Sequence, residues 1–426
     1  MKINTNIYIL ALVVMLVFSC KNEQKKEQLM QPQKNMLAKD ILGNPKYLAI
    51  SYGGYRKNTR NLQPTIPELK EDMKILAAMG IGILRTYNLQ FSHASNILKA
   101  IKELKEEDSS FEMYVMLGAW IDCQNAWTEN PNHEEEDADA NLIEINKAVE
   151  LANEYPNIVK IIAVGNEAMV HWAWSYYVQP SVILKWVNYL QNLKNTDQLS
   201  KDVWITSSDN FASWGGGDKA YHNEDLVNLI KSVDYVSMHT YAYHDTHYSP
   251  AYWVNDTIEY STDLDKIEAA MLRAKKYAIS QYDGVKSYLD SLGVKKPIHI
   301  GESGWASVSK GLYGKDGSKA TDEYKAALYY KHIRDWTNKD GMSCFYFEAF
   351  NEIWKDAQNP LGSENHFGLF TLEGKAKYAL WDLVDQGLFK GLTRNGNPIT
   401  KTYNGSKEEL MKDVLVPDTQ PEVINN

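Results

Sequence analysis

Short apolar runs alternate with amphipathic stretches from residue 47 almost to the end of the chain. Tyr47-Leu48-Ala49-Ile50-Ser51-Tyr52 reads as a strand that stops at Gly53-Gly54. Further apolar runs at 83–88, 112–120, 158–167, 203–208, 233–243, 297–305 and 342–350 predict seven more strands. Helical spacing fills the gaps. Leu69, Met73 and Leu76 mark a helix over 65–80, with Gly80 as its stop. Ile97, Leu98, Ile101 and Leu104 mark the next, and Leu142, Ile145, Val149 and Ala152 a third. Helices follow over 182–193, around Leu226, Leu229 and Ile230, and over 264–292, 321–337 and 375–384. Strict strand–helix alternation predicts a parallel sheet with right-handed crossovers. Eight such units predict a closed (β/α)8 TIM barrel, here one domain over 46–395 with 396–426 as a C-terminal extension. Gly53-Gly54 is too sparse for a phosphate-binding loop, which sets a doubly wound fold aside.

The first residues follow a different pattern. Lys2 precedes an apolar run from Ile7 to Phe18, shorter than the ~20 residues a bilayer span requires. The run ends Leu16-Val17-Phe18-Ser19-Cys20, which resembles a bacterial lipobox: residues 1–19 as signal peptide and Cys20 as the lipidated residue. A plain signal peptide with an incidental cysteine is the alternative, but the cysteine falls where the apolar run stops. Residues 20–45, rich in Lys, Glu and Gln and without aromatics until Tyr47, are expected to form a disordered tether. The expected location is therefore a membrane-anchored lipoprotein of a Gram-negative-type bacterium, at the outer membrane, cell surface or periplasmic face. The lipid is its only membrane contact.

Composition excludes more than it selects. A net charge of −10 argues against nucleic acid, whose phosphates require a basic stripe. The 12 Trp and 27 Tyr suit either a large core or platforms for sugar rings. Besides Cys20 only Cys123 and Cys344 remain, too few for a disulfide framework or a zinc site, so they are expected as buried free thiols. No seam rich in Gly, Ser or Pro divides 47–390, and the protein is expected to be a monomer.

The chemistry gathers at strand ends. Arg85, Asn88, Glu167, Asp209, Asn210, His239, Glu302 and Glu348 all fall where a barrel presents its active face. Glu167 and Glu302 share a context: an apolar strand, a glycine, then a carboxylate. A barrel brings their strands to opposite sides of one mouth. Two carboxylates across a cleft suit glycoside hydrolysis, provided their pKa values are pushed apart. No cofactor and no metal are expected. His239, His244 and His247 lack helical i, i+4 spacing for a zinc site, and a loop or sugar-binding role is favoured. Asp137 and Asp139, beside Glu134-Glu135-Glu136, lack the spacing of a calcium loop and read as a solvated acidic loop.

Three motifs carry a family resemblance. Val164-Gly165-Asn166-Glu167, Gly301-Glu302-Ser303-Gly304-Trp305 and Phe347-Glu348-Ala349-Phe350-Asn351-Glu352 resemble the signatures of glycoside hydrolase family 17, the β-1,3-glucanases and glucanosyltransferases. Tyr52-Gly53, Arg85-Thr86-Tyr87, Tyr241-Ala242-Tyr243, Lys355 and Glu364 extend the likeness over most of 47–390. It implies a retaining enzyme with Glu167 as acid/base, Glu302 as nucleophile, Asn166 on the sugar 2-hydroxyl and Tyr241 holding Glu302. It also implies that Glu352, Lys355 and Glu364 bind hydroxyls or tune Glu302, although a surface ion-pair cluster would account for Glu364. Tyr52, Tyr87, Trp305 and Phe350 are candidates to stack on glucose, or else core. Arg85 and His239 complete the substrate-binding set. Ala306 and Ala242 replace family prolines, and His239 stands where plant members carry Asn.

The implied substrate is a laminarin-like β-1,3-glucan, cleaved internally. Transfer to an acceptor sugar and exo-cleavage are alternatives on the same residues. A non-catalytic glycan-binding lipoprotein is an alternative of another class, and the presence of both glutamates counts against it. The long segments 122–139 and 244–263 are expected to build cleft walls that bear on this choice.

Overall fold

The computed structural model describes residues 36–255, 262–309 and 319–419. Eight parallel strands close a barrel in chain order: β1 (Leu48–Ser51), β2 (Ile81–Arg85), β3 (Tyr114–Ala119), β4 (Val159–Asn166), β5 (Trp204–Asn210), β6 (Val236–His239), β7 (Ile298–Gly304) and β8 (Cys344–Phe347). β8 pairs in parallel with β1 and completes the ring. The outer helices are α1 (Ile66–Ala78), α2 (His93–Glu107), α3 (Ala138–Glu154), α4 (Pro180–Asn195), α5 (Glu224–Ser232), α6 (Asp263–Ser291), α7 (Glu323–Lys339) and α8 (Trp381–Asp385). The predicted TIM barrel is the fold observed. The strands are buried along nearly their whole length, because helices cover one face and the packed interior the other. Local signals set the helix starts. Thr65 and Glu68 form a reciprocal capping box on α1, and Thr262 and Asp265 do the same on α6.

Four expectations require correction. The tether predicted through residue 45 is ordered at its end: Ala38–Ile41 form one helical turn, and Ala38, Ile41 and Leu42 are buried. They join Ala49, Ile83, Met116, Ile161, Ala163 and Phe345 in one apolar cluster and so plug the barrel at the end opposite the chemistry. A barrel mouth lined by apolar side chains must be covered, and this turn covers it. The sixth strand ends at His239 and not Tyr243, since Ala242–His247 turn into a short helix. The eighth ends at Phe347 and not Phe350. The closing helix predicted over 375–384 is a single 3-10 turn, Tyr378–Leu380, followed by the short α8. Its first part is held extended by Ala376, which bonds Thr400 and Thr402, and by the buried Lys377.

The boundary drawn at 395 has no structural counterpart. It falls inside a small antiparallel ladder in which Arg394 pairs with Asn397. Beyond it, the backbone N–H of Leu415 donates to Asp322 Oδ2 at 3.1 Å, at the start of α7. Arg394 is itself buried against Asp72 on α1, which accepts from Arg394 Nε at 2.9 Å, from Arg56 at 2.6 and 3.0 Å, and from Tyr52 Oη at 2.9 Å. Cys123 and Cys344 are buried free thiols, as expected.

Removing one member of a buried ionic cluster strands the others. Asp72→Ala is expected to destabilise the fold by about 3–5 kcal/mol, because two buried guanidinium groups lose their counter-charge. Urea unfolding measures this directly. An unchanged midpoint would contradict the cluster's role in joining the two ends of the barrel domain.

Candidate active site

Above the plug the barrel interior turns polar. Ser208 on β5 and Ser237 on β6 bond each other at 2.9 Å, and Ser208 Oγ lies 2.8 Å from His239 Nε2. Gly301 on β7 faces these hydroxyls; a Cβ there would come within 2.3 Å of Ser237 Oγ and 2.4 Å of Ser208 Oγ. The glycine that precedes Glu302 is thus required by a close approach across the barrel floor.

One buried cation organises the next layer. Arg85, at the end of β2, ion-pairs with Glu302, donates to the Gly301 carbonyl at 3.1 Å, and donates to Asn166 Oδ1 at 2.6 Å. Its guanidinium also lies 4.6 Å from the centre of the Tyr87 ring. Tyr241 Oη donates to Glu302 Oε2 at 2.7 Å. Glu167, at the end of β4, occupies the left-handed region at φ 47°, unusual for a side-chain-bearing residue and most often found where function demands it. His239 Nδ1 lies 3.0 Å from Glu167 Oε1 and 3.9 Å from Glu302 Oε2.

The two carboxylates differ electrostatically. Burial alone would raise Glu302, but the charges of His239 and Arg85 and the Tyr241 hydroxyl outweigh it and hold the group down at about 2. Glu167 moves the other way. Burial raises it, the neighbouring Glu302 charge adds to that, and the opposing contacts with His239 and Arg85 do not cancel it. One carboxyl is therefore held ionised and its neighbour is biased towards the protonated form. Glu167, His239 and Glu302 offer ligand-type atoms within 4.8 Å of one another. These atoms already serve hydrogen bonds, and a cation among them would have to compete with Arg85 and Tyr241 for Glu302.

Both glutamates open into a cleft of about 1020 Å³, at the upper end of the ~300–1,000 Å³ usual for a small-molecule pocket. Its lining runs across the barrel mouth. On the β8–β1 side stand Tyr52, Tyr55, Arg60, Glu352, Trp354 and Lys355; on the β3–β4 side stand Trp120, Trp127, Asn166 and Trp172. Tyr87, Asn210, Phe211, Tyr241, His244, Phe347, Glu364 and Phe367 complete it. Lys355 Nζ bonds Glu348 Oε2 at 2.5 Å and lies 3.4 Å from Glu352 Oε2, while Glu352 Oε1 is buried without a partner and faces the cleft. Gly53 makes room for it, since a Cβ there would fall 1.7 Å from that oxygen.

Placement of the predicted residues divides them. Glu167, Glu302, Asn166, Tyr52, Tyr87, Tyr241, Glu352, Lys355 and Glu364 all line the cleft. Glu364 stands 3.8 Å from His244 across it, not in a surface ion-pair cluster. Tyr52 presents its ring only, because its hydroxyl is committed to Asp72. Arg85 and His239 are corrected from substrate contacts to groups buried behind the carboxylates. Trp305 is 1% exposed, with its indole N–H on the Ala320 carbonyl at 2.9 Å, and does not reach the cleft. Phe350 is 2% exposed, stacked on Phe370 at 5.1 Å with Arg394 over its ring at 3.9 Å. Both are core, since the chain turns behind the barrel rim where they occur. The acidic loop is not merely solvated: Asp137 caps α3, and Glu136 accepts from Trp186 Nε1 at 2.6 Å. Residues that the sequence reading did not single out are Trp120, Trp127, Trp172, Trp354, Tyr55 and Arg60. The dense run His171-Trp172-Ala173-Trp174-Ser175-Tyr176-Tyr177, just after Glu167, was an available signal.

Residues 49–368 match the BtgE/BtgC glycoside hydrolase domain. The chain belongs to this family. It is similar to the crystal structure of an endo-laminarinase from Formosa Hel1_33_131, with 67% identity and a TM-score of 0.89, covering 92% of this chain and 100% of that one. It is 26% identical over 324 residues to a glucan 1,3-beta-glucosidase of Arthroderma benhamiae, covering 73% of this chain and 83% of that protein. It shares its fold with a glycoside hydrolase family 17 β-1,3-glucanosyltransferase from Rhizomucor miehei, at 19% identity and a TM-score of 0.55, over 78% of this chain and 96% of that one. The family resemblance read from the three motifs is borne out. For this glycoside hydrolase the two glutamates are the acidic pair at the centre of the cleft.

Linkage gives the pair a signature in stability. Glu302, depressed, contributes stability that is present above its ordinary value of 4.5 and lost as pH falls through about 2. Glu167, raised, contributes stability that is present below 4.5 and lost as pH rises through its folded value. Carbon-13 NMR of labelled glutamate carboxyls is expected to show Glu302 titrating near 2 and Glu167 above 4.5. Arg85→Gln is expected to raise the Glu302 midpoint. Glu302 titrating at or above Glu167 would contradict the assignment of charge.

Proposed function

We propose that this glycoside hydrolase cleaves β-1,3-glucan internally, by a two-step displacement that retains configuration at the anomeric carbon. The observation that carries the mechanism is the opposed ionisation of two carboxyls whose oxygens approach within 4.8 Å. A retaining pair stands about 5–5.5 Å apart, too close for an intervening water. The endo-laminarinase relative supports the substrate, and the cleft supports internal cleavage because its lining crosses the whole barrel mouth.

In the first step an ionised Glu302 oxygen attacks the anomeric carbon while the bond to the leaving oxygen breaks. Glu167 gives that oxygen its proton. Arg85 and Tyr241 hold Glu302 for attack, and because each donates to it, they also make its carboxylate a leaving group for the second step. Water then attacks the same carbon, Glu167 takes a proton from it, and Glu302 departs as carboxylate. Asn166 Oδ1 is occupied by Arg85, which leaves its N–H groups to donate to a sugar hydroxyl. The partnerless Glu352 Oε1 accepts from a hydroxyl further along the chain.

Glu302→Gln is expected to remain folded and to lose at least about 10³-fold in kcat on laminarin, since an amide oxygen does not form the glycosyl ester. Proton NMR of early products from the wild type is expected to show the β-anomer first. Normal activity in the variant, or the α-anomer first, would overturn the assignment.

The signal peptide and the lipidated Cys20 lie outside the described residues. The same proposal anchors the enzyme by a lipid on Cys20, on the outward side of a bacterial membrane. The support is the apolar run that ends at Ser19-Cys20 and the polar stretch after it. Cys20→Ala is expected to abolish incorporation of labelled palmitate, and labelling that persists in that variant would contradict the anchor.

A further inference from the structure

The cleft wall on the β3–β4 side is built unlike ordinary protein surface. Trp127 is 60% exposed, yet its backbone lies in the left-handed region at φ 62°, which bulky residues rarely enter. Its indole N–H donates to Asp122 Oδ1 at 3.1 Å, and Trp120 donates to the same oxygen at 2.8 Å. Tyr176 backs both rings, 4.9 Å from Trp127 at an interplanar angle of 21° and 5.0 Å from Trp120. Backbone bonds lock the two loops together: Trp127 N–H to the Ser175 carbonyl at 2.7 Å, and Cys123 N–H to the Tyr176 carbonyl at 3.2 Å. A stray surface hydrophobe needs none of this. Rings fixed before a ligand arrives lose little entropy when it binds.

Two further exposed indoles stand on the loop after β4. Trp172, 63% exposed, lines the cleft with Trp127. Trp174, 60% exposed, is not in the cleft lining; its ring meets His133 edge-on at 4.7 Å, and His133 stacks on Tyr177 at 3.6 Å. All these residues belong to the loops after β3 and β4, and Glu167 directly follows β4. Glu167 protonates the leaving oxygen, so the sugars that depart with that oxygen lie on its side of the break.

We infer that the Asp122-pinned indoles of Trp120 and Trp127, continued by Trp172 and Trp174, form a strip that stacks on the sugar rings of the leaving half of a β-glucan chain. The strip sets how strongly cleavage gains from chain length. Its occupant is the same chain that the active site cuts, because three of its four indoles, Trp120, Trp127 and Trp172, line the cleft itself. The inference rests on the hydrolytic reading of Glu167 and Glu302.

The test compares Trp127→Ala, Trp174→Ala and Trp127→Phe with the wild type on β-1,3-gluco-oligosaccharides of increasing length. An aryl β-laminaribioside, whose leaving group is one small ring, serves as the short substrate. For the alanine variants the rise of kcat/KM with chain length should flatten, with a loss of about tenfold on the longest oligosaccharides and several-fold less on the aryl glycoside. Trp127→Phe should recover most of the loss. Equal losses on both substrates would mean that Trp127 only supports the fold, and no loss on either would mean that the strip is idle; each overturns the inference while the active wild type leaves the hydrolytic reading intact. A wild type inactive on every β-1,3-glucan overturns that reading, and the strip with it.

Discussion

A single buried guanidinium sorts the two carboxyls of this site. Arg85 reaches from the second barrel strand to Glu302 on the seventh and Asn166 on the fourth. In water such a contact is worth little, but away from solvent the same charges act at far lower effective dielectric. Arg85 is 1% exposed, and His239, Arg85 and the Tyr241 hydroxyl together outweigh the desolvation that would otherwise protonate the buried Glu302. Glu167 has His239 at 3.0 Å, but it is not the carboxyl that Arg85 ion-pairs, and His239 and Arg85 together do not cancel its burial. Burial and its ionised neighbour push it the other way. The asymmetry that acid–base chemistry requires therefore follows from which carboxyl the arginine holds.

The rest of the barrel keeps that arrangement dry and in register. Ser208 and Ser237 form a hydroxyl floor under it, and Gly301 lets the seventh strand pass close over that floor. Below lies an apolar layer closed by Ala38, Ile41 and Leu42. At the rim, Asp72 gathers Tyr52, Arg56 and Arg394 and so ties the first helix to residues near the end of the described chain. Much of the cleft lining is carried by loops on this frame. The ionic centre and the cleft walls are thus held by different parts of the chain, strand ends and loops.

Much of this was legible in the sequence because it is periodic. Apolar runs bounded by glycines marked eight strands, and the carboxylates at the fourth and seventh strand ends marked the chemistry. What was not legible depends on direction. Trp305 and Phe350 follow catalytic strands as closely as Tyr87 follows Arg85, yet the chain turns them under the rim, where Trp305 bonds Ala320 and Phe350 stacks on Phe370. His239 and Arg85 were recognised as site residues, but only packing reveals that they stand behind the carboxylates and not before the sugar. The turn at Ala38–Ile41 was hidden because one helical turn has no period to detect, and its burial exists only once the barrel is formed. Lys377 broke a predicted helix for a similar reason: its ammonium bonds Ser307, Asn351 and the His366 carbonyl, three groups far apart in sequence.

Trp120, Trp127, Trp172 and Trp174 add a second level of organisation, in which a half-buried carboxylate, Asp122, orients the indoles of Trp120 and Trp127 beside the cleft. That level has a use only if the centre works as described, with Glu302 as the attacking group. An aryl 2-deoxy-2-fluoro-β-laminaribioside tests this most directly, since the fluorine slows hydrolysis of the glycosyl-enzyme enough to trap it. Mass spectrometry of the digested protein is predicted to find one sugar adduct, on the peptide that carries Glu302. An adduct on Glu167 would contradict the account, as would turnover with inversion and no adduct at all.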